Sequence, residues 1–94
     1  MQFEWDPEKA LTNRRKHRVS FEMASESFFD PFAVNEIDRV EYGEYRWLNI
    51  GMVRGSILLV VANVPRDTHG EEIVRIISAR KAEPHERRRN EQAR

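Results

Sequence analysis

Six basic side chains in this sequence are of the types that RNA cleavage without a cofactor requires. RNA carries its own nucleophile in the 2′-hydroxyl, so a protein needs only to move protons and to stabilise extra negative charge on the phosphate. General acid–base groups and fixed cations are sufficient for both tasks. The candidates of these types are Lys16, His17, Arg66, Arg75, Arg80 and Lys81. The composition permits this chemistry but does not demonstrate it.

The positive charge is concentrated in two parts of the chain. The 94 residues include sixteen Lys and Arg against sixteen Asp and Glu, so the formal net charge is zero. Four cations and His17 nevertheless lie within Arg14–Arg18, and seven cations against three carboxylates follow from Arg75 onward. Such a patch attracts phosphate even on a neutral protein. Two solvated helix faces explain the same pattern equally well.

Each candidate also has a structural interpretation. His17 falls at the C-terminal end of a predicted helix, where an imidazole interacts with the helix dipole or caps carbonyl groups. Arg75 lies within a β-strand pattern and either projects from the second face of the sheet or pairs with a core carboxylate. Arg80 and Lys81 also fit the polar end of a strand.

Other kinds of site have little support. The chain has no cysteine, and its three histidines lack a metal-binding spacing, which disfavours a metal site. Without a glycine-rich phosphate loop or a G-x-S-x-G motif, neither a dehydrogenase, a kinase nor a serine hydrolase is indicated. The longest apolar run, Ile57–Ala62, is too short to span a bilayer. We expect a cytoplasmic protein that acts without metal or cofactor and away from membranes.

The helices that would position the candidates have clear start signals. Gln2–Trp5 suits a short edge strand, and Asp6-Pro7-Glu8 begins a helix that runs to about His17. Ser20 caps a second helix, which ends at Asp30-Pro31.

The strands follow the helices. Alternating or β-branched residues predict strands over Ala33–Ile37, Tyr45–Val53, Ile57–Val64 and Glu72–Arg80. Arg54-Gly55 predicts a tight hairpin, whereas Pro65–Gly70 predicts a longer connection. Ile57–Val64 is apolar on both faces, as expected of a central strand. With a last helix beginning at Glu83-Pro84, the predicted order is β-α-α-β-β-β-β-α.

The last helix has almost no apolar surface. Ala93 is its only apolar side chain after Pro84, so it cannot offset its ordering entropy by burying a face of its own. We therefore expect one domain over residues 1–94, in which residues 84–94 are poorly ordered or helical only through contacts with a partner.

Motifs along the whole chain resemble those of a known toxin family. FEWDPEK, KHRVSFEMA, FFDP, LLVV and RIISARKAEPHERRR occur in this order, and together they resemble the BrnT family of type II toxins, the partners of BrnA antitoxins. The resemblance implies an α+β fold similar to that of the RelE/ParE toxins. In that fold, two N-terminal helices pack on an antiparallel sheet that is followed by a C-terminal helix.

The resemblance also implies an activity and its partners. It implies an endoribonuclease that cleaves RNA and arrests translation, a BrnA-type antitoxin that neutralises it in a hetero-oligomer, and operator DNA bound only through the antitoxin. The six candidates would then converge in one phosphate-binding cleft. The first-helix residues expected to bind RNA there are Lys9, Asn13, Arg14 and Arg15.

The sequence departs from the family pattern at Arg18 and Asn90. Arg18 replaces the usual glycine after the Lys-His pair, so a different end to the first helix is expected. Asn90 replaces a usual aromatic residue and leaves a second function open, that of a degenerate toxin that binds the antitoxin and takes part in repression without cleaving RNA. Trp47 and Phe32 are candidate antitoxin contacts, since large aromatic residues are enriched at interface centres.

Overall fold

The chain forms the predicted order of helices and strands, with one added 3₁₀ turn. The computed structural model describes residues 1–93, with side chains to Gln92. Its elements are β1 (Gln2–Glu4), α1 (Pro7–His17), α2 (Phe21–Glu26), the 3₁₀ turn (Ser27–Phe29), β2 (Val34–Glu41), β3 (Glu44–Val53), β4 (Ile57–Thr68), β5 (Glu71–Lys81) and α3 (Pro84–Ala93). None of the described helices is long and apolar enough to cross a membrane.

Asp6 and Ser20 cap the first two helices as predicted. The Asp6 carboxylate accepts a hydrogen bond from the backbone N–H of Glu8 at 2.9 Å, and the Ser20 hydroxyl accepts one from the N–H of Met23 at 3.0 Å. Both side chains satisfy amides that have no partner within the first turn of a helix. Local chemistry alone therefore fixes where α1 and α2 begin.

The five strands form one mixed sheet in the order β1-β5-β4-β3-β2. β4 is central, as its two apolar faces predicted. The expectation of a wholly antiparallel sheet is wrong for β1, which pairs with β5 in parallel over Gln2–Glu4. Most of the chain separates β1 from β5, so no hairpin imposes an antiparallel direction on this pair.

The β4–β5 hairpin is longer than the sequence suggested. The predicted connection Pro65–Gly70 is mostly strand, and a two-residue turn closes it at His69 (φ 53°) and Gly70 (φ 80°). Positive φ at both positions matches the twist of a two-residue hairpin. Pro65 is tolerated because β4 pairs with β3 only as far as Asn63, so its missing N–H costs no ladder bond to β3.

Apolar side chains cover both faces of the sheet. On one face, Phe21 and Ala24 of α2 pack with a group of strand residues, namely Val53, Leu59, Val61, Ile76 and Ala79. Ile50, Leu58 and Val60 form a second cluster. Val60 and Val61 are neighbours in β4 and so point to opposite faces, which places the second cluster on the side where α3 contacts β2 and β3.

Two buried polar side chains attach α3 to the sheet. Asn90 is 0% exposed, and its Nδ2 donates to the carbonyl oxygens of Phe32 at 3.2 Å and Ile50 at 3.4 Å. Glu86 binds both terminal nitrogens of Arg80 at 2.8 Å and accepts the backbone N–H of Glu83 at 2.8 Å. The sequence predicts no anchor within this segment. The two anchors are polar and four residues apart. They could not be recognised from the sequence of α3, because their partners lie elsewhere in the chain.

Acid is expected to weaken the docking of α3. The Arg80 guanidinium, by hydrogen bonding, lowers the pKa of Glu86 from 4.5 to about 2. Because the pKa in the folded state lies below that in the unfolded state, the stabilisation is present above about pH 4.5 and is lost as pH falls toward 2. The effect should be about 2–3 kcal/mol, measured as the free energy of urea unfolding against pH.

Glu86→Gln tests this assignment against Glu91→Gln, which removes an exposed carboxylate from the same helix. Glu86→Gln should lower stability near neutral pH and flatten the acid dependence, with faster amide exchange from Arg88 to Gln92. Equal effects of the two substitutions would mean that the pair with Arg80 does not hold α3.

Candidate active site

α1 lies along the part of β5 that has no neighbouring strand. β1 covers only Ile73–Arg75 of β5, and the Asn13 side chain, 5% exposed, takes the place of a strand farther along. Its Nδ2 donates to the carbonyl oxygens of Ala79 at 2.9 Å and Val19 at 3.0 Å, and its Oδ1 accepts the N–H of Ala79 at 3.0 Å. Asn13 was predicted to bind RNA. Both of its N–H groups are engaged within the protein, which favours a positioning role, and its contact with RNA stays a prediction.

Arg18 ends α1 in the conformation that a glycine would adopt. Its backbone is left-handed, with φ 59° and ψ 30°, and its N–H donates to the carbonyl of Arg14 at 2.9 Å. The different helix end expected from this departure is not observed. An L-residue in this conformation costs about 1–2 kcal/mol, so the surrounding contacts must stabilise the turn that follows His17.

An open groove of about 420 Å³ separates α1 from β5. Lys9, Lys16 and His17 of α1 line it opposite Ile77 and Ser78 of β5. No ion pair or side-chain hydrogen bond engages these three α1 residues within the described chain. The structure thus brings together two predicted catalytic residues and one predicted RNA-binding residue, with their polar groups available to a ligand.

A second cavity of about 370 Å³ continues this groove and shares Asp6, Lys9 and Ile77 with it. It adds Arg75, whose Nη2 lies 3.0 Å from Glu44 Oε1. We call the two cavities together the β5 groove. It leads from His17, at the end of α1, to Arg75 on β5.

Ser78 and Tyr42 are among the groove residues that were not foreseen. Ser78 lies on β5 next to Ile77, and no spacing in the sequence singles it out. Tyr42 lies in the β2–β3 turn and is 90% exposed, and no sequence pattern connects it with α1. Its position depends on the pairing of β2, β3, β4 and β5.

The remaining catalytic candidates lie outside the β5 groove. Arg66 lines a different cavity near the β4–β5 turn and pairs with Glu4. Arg80 is paired with Glu86 under α3. Lys81 follows Arg80 in the strand and therefore points to the opposite face. The six predicted catalytic residues consequently do not converge in a single cleft.

Unpaired cations are concentrated on and just after α1. Every arginine from Arg39 to Arg80 has a carboxylate within 4.0 Å. By contrast, no side chain in the described chain pairs with the cations of α1 and its cap, Lys9, Arg14, Arg15, Lys16 and Arg18. Arg14 and Arg15 are exposed but do not line the groove. Toward the C-terminal end of α1, away from Asp6 and Glu8, an incoming phosphate therefore meets little competition from protein carboxylates.

The described residues contain no cluster of three or more His, Asp or Glu that could hold a metal ion. The polar groups of the β5 groove include ammonium, imidazole, guanidinium and hydroxyl groups, together with the carboxylates of Asp6, Glu8 and Glu44. The ammonium, imidazole and hydroxyl groups bind anions and transfer protons.

Comparisons with known proteins agree on one family. The family model described as "Ribonuclease toxin, BrnT, of type II toxin-antitoxin system" matches residues 5–86. Among solved structures, the crystal structure of the Brucella abortus ribonuclease toxin BrnT is similar, with 26% sequence identity and a TM-score of 0.57 over 88% of this chain and 97% of that one. No curated protein matches the sequence.

Proposed function

Because the chain belongs to the BrnT family of ribonuclease toxins of type II toxin–antitoxin systems, we propose that it cleaves RNA in the β5 groove by metal-independent acid–base chemistry. One observation supports this location above all. His17 and the unpaired cations Lys9 and Lys16 line the same groove, whereas Arg66 and Arg80 lie elsewhere and are engaged by carboxylates.

In this mechanism the half-buried His17 takes the proton of the 2′-hydroxyl. An imidazole suits the role because it changes its charge near neutral pH. The 2′ oxygen forms a bond to phosphorus, the bond from phosphorus to the 5′ oxygen breaks, and Lys16 donates a proton to that leaving oxygen. Lys9 stabilises the negative charge that develops on the phosphate, and Arg75, which is paired with Glu44, lies farther along the groove. The exposed ring of Tyr42 offers a stacking surface for a base next to the scissile phosphate.

The proposal includes a cellular role. The cleavage arrests translation in the cytoplasm, and a BrnA-type antitoxin neutralises it in a hetero-oligomer that binds operator DNA through the antitoxin. We also propose that the fold is of the RelE/ParE type. In support, α1 and α2 both contact β5, and α3 follows the last strand.

A second candidate function follows from Asn90. A toxin that had lost its activity would still bind the antitoxin and take part in operator repression, and the absent aromatic residue favours this alternative. The buried position of Asn90 makes this alternative weaker. The asparagine holds α3 in place, so the fold does not need an aromatic anchor there. Any loss would then concern base stacking or chemistry rather than folding.

Growth after induced expression separates the two functions. An active toxin should stop growth in the absence of antitoxin, with cellular RNA cut into fragments, and co-expression of the antitoxin should restore growth. Normal growth with full-length folded toxin present, together with no cleavage in vitro, would favour the binding module.

Cleavage of RNA by the purified protein is expected to continue in EDTA. The groups proposed for each step are side chains of the protein, so chelation should leave the rate unchanged. The measurement is the initial rate on a labelled RNA with and without chelator, with the His17→Ala protein prepared in parallel to exclude contaminating nuclease. Loss of cleavage in EDTA that Mg²⁺ restores would show that a metal takes part.

A further inference from the structure

A second groove lies on the sheet face opposite to Arg75. It consists of two cavities of about 280 and 380 Å³ that share Pro65 and Glu72. We call it the asparagine groove, after Asn49 and Asn63 in its wall. Val74 lines it while the neighbouring Arg75 lines the β5 groove, so the sheet separates the two.

The asparagine groove presents hydrogen-bond acceptors that have no donor. Asn63 is 3% exposed, and its Nδ2 donates to the carbonyl oxygens of Val61 at 3.1 Å and Trp47 at 3.4 Å. Asn49 is 1% exposed, and its Nδ2 donates to the Ser27 hydroxyl at 3.1 Å. Both amide oxygens remain without a partner in the described chain. Neither oxygen is among the fully buried atoms without a partner in the described chain, so both are open to the groove and favour a ligand that brings donors.

Two carboxylates provide further hydrogen-bond acceptors in the asparagine groove. Asp67 and Glu72 lie directly opposite each other on β4 and β5, and both line the groove. Neither has an ion pair within the described residues, and like charges in directly opposed positions are destabilising. Trp47 adds an aromatic ring to the same wall, and indole rings attract cations. A guanidinium group supplies both a positive charge for the two carboxylates and several donors for the two amide oxygens.

The surroundings indicate a protein ligand rather than RNA. Among the side chains that line the groove, the cation Arg66 is already paired with Glu4, so phosphate would meet the unneutralised carboxylates of Asp67 and Glu72. Exposed apolar side chains continue the surface on the same face, because Ile37 lies opposite Trp47 and Val40 lies opposite Tyr45. Contiguous exposed apolar surface beside a polar anchor site is typical of protein interfaces.

We propose that the antitoxin docks on this face and inserts an arginine of a basic segment into the asparagine groove, against Asn49, Asn63 and Glu72. The identity of the partner rests on the proposed function, whereas the chemistry of the occupant rests on the groove. Of the two aromatic residues predicted to contact the antitoxin, Trp47 belongs to this surface. Phe32 lies beside α3, where Asn90 binds its carbonyl oxygen.

The test is the affinity of the purified cognate antitoxin, measured by calorimetry, for Glu72→Lys and Asp67→Lys proteins. Each change should weaken binding by about tenfold or more, because a cation then faces the inserted arginine. Both variants should fold, since each relieves the repulsion between Asp67 and Glu72. Glu91→Lys makes the same charge change on α3 and should leave the affinity unchanged. In a Trp5→Phe background, antitoxin binding should also alter the fluorescence of Trp47.

Unchanged affinity for both groove variants, or a Trp47 response to RNA and none to the antitoxin, would overturn this inference. The rate of RNA cleavage keeps the two proposals apart, because the groove variants should cleave RNA like the parent. A protein that never cleaves RNA but loses antitoxin binding on Glu72→Lys contradicts the catalytic proposal alone. One that cleaves RNA and binds the antitoxin regardless of Glu72 and Asp67 contradicts the docking proposal alone.

Discussion

Replacing His17 with alanine is expected to lower the rate of RNA cleavage by about 10²–10³-fold, or about 3–4 kcal/mol of transition-state stabilisation. His17 is the one imidazole that lines the described part of the β5 groove, and no other group there exchanges protons as readily near neutral pH. The measurement is the single-turnover rate on a short RNA. The pH dependence of the cleavage rate should also change, because the variant lacks the part of the parent's profile that depends on His17.

His85→Ala is the matched control, because this exposed imidazole lies on α3 and contacts Glu83 rather than the groove. It should cleave RNA like the parent. The free energy of unfolding should fall by no more than about 1 kcal/mol in His17→Ala, the usual size of a helix-dipole interaction at a C-terminus. If His17→Ala and His85→Ala cleave RNA equally fast, proton transfer takes place elsewhere.

By sequence, Arg80 was as strong a catalytic candidate as His17. Its substitution by alanine would nevertheless be harder to interpret. Arg80→Ala removes the partner of Glu86 and leaves a nearly buried carboxylate, with 4% side-chain exposure, without its cation. That change destabilises α3 whatever Arg80 does for RNA. Loss of toxicity in such a variant would therefore say little about catalysis, whereas Lys16→Ala changes an exposed side chain with no partner in the described chain.

The parts of the fold that depend on neighbouring residues were predictable. Asp6 and Ser20 begin helices because their side chains satisfy amides two or three residues away. β4 was predicted to be the central strand because Ile57–Ala62 contains no polar side chain, so both of its faces are apolar. The β4–β5 hairpin was shortened in the prediction because proline and glycine in Pro65–Gly70 favour a loop. Only the pairing with Glu71–Val74 shows most of this segment to be strand.

The site was predictable only in part, for a related reason. Composition identifies cations, and helical spacing places Lys16 and His17 together, but a cation is available to RNA only if no carboxylate neutralises it. Glu44 and Glu86 lie 31 and 6 residues from the arginines they bind. For Asn90 the error is the opposite one, because a residue expected to be solvated is buried. It anchors α3 by donating to the carbonyl oxygen of Ile50 on β3.

Asn13→Ala is expected to lower the free energy of unfolding by about 3–4 kcal/mol, a large part of the stability of so small a domain. The substitution removes three hydrogen bonds and leaves the N–H and carbonyl groups of Ala79 without partners on the open edge of β5. Because Asn13 borders the β5 groove, water can enter and replace part of the loss, which keeps the effect below the full desolvation cost of those groups. Urea or thermal unfolding measures it.

Thr12→Ala and Asn13→Asp are the control variants for this stability measurement. Thr12 is exposed on the same helix, and its removal should change stability by only a few tenths of a kcal/mol. Asn13→Asp keeps the acceptor for the N–H of Ala79 but turns a second oxygen toward the carbonyls of Val19 and Ala79, so it should destabilise at least as much as alanine. If all three variants are as stable as the parent, α1 is held by its apolar contacts alone. If Asn13→Ala loses stability and also cleaves RNA slowly under conditions where it is folded, while Thr12→Ala, which changes another side chain lining the groove, cleaves like the parent, then the amide that completes the edge of β5 also supports the reaction in the groove.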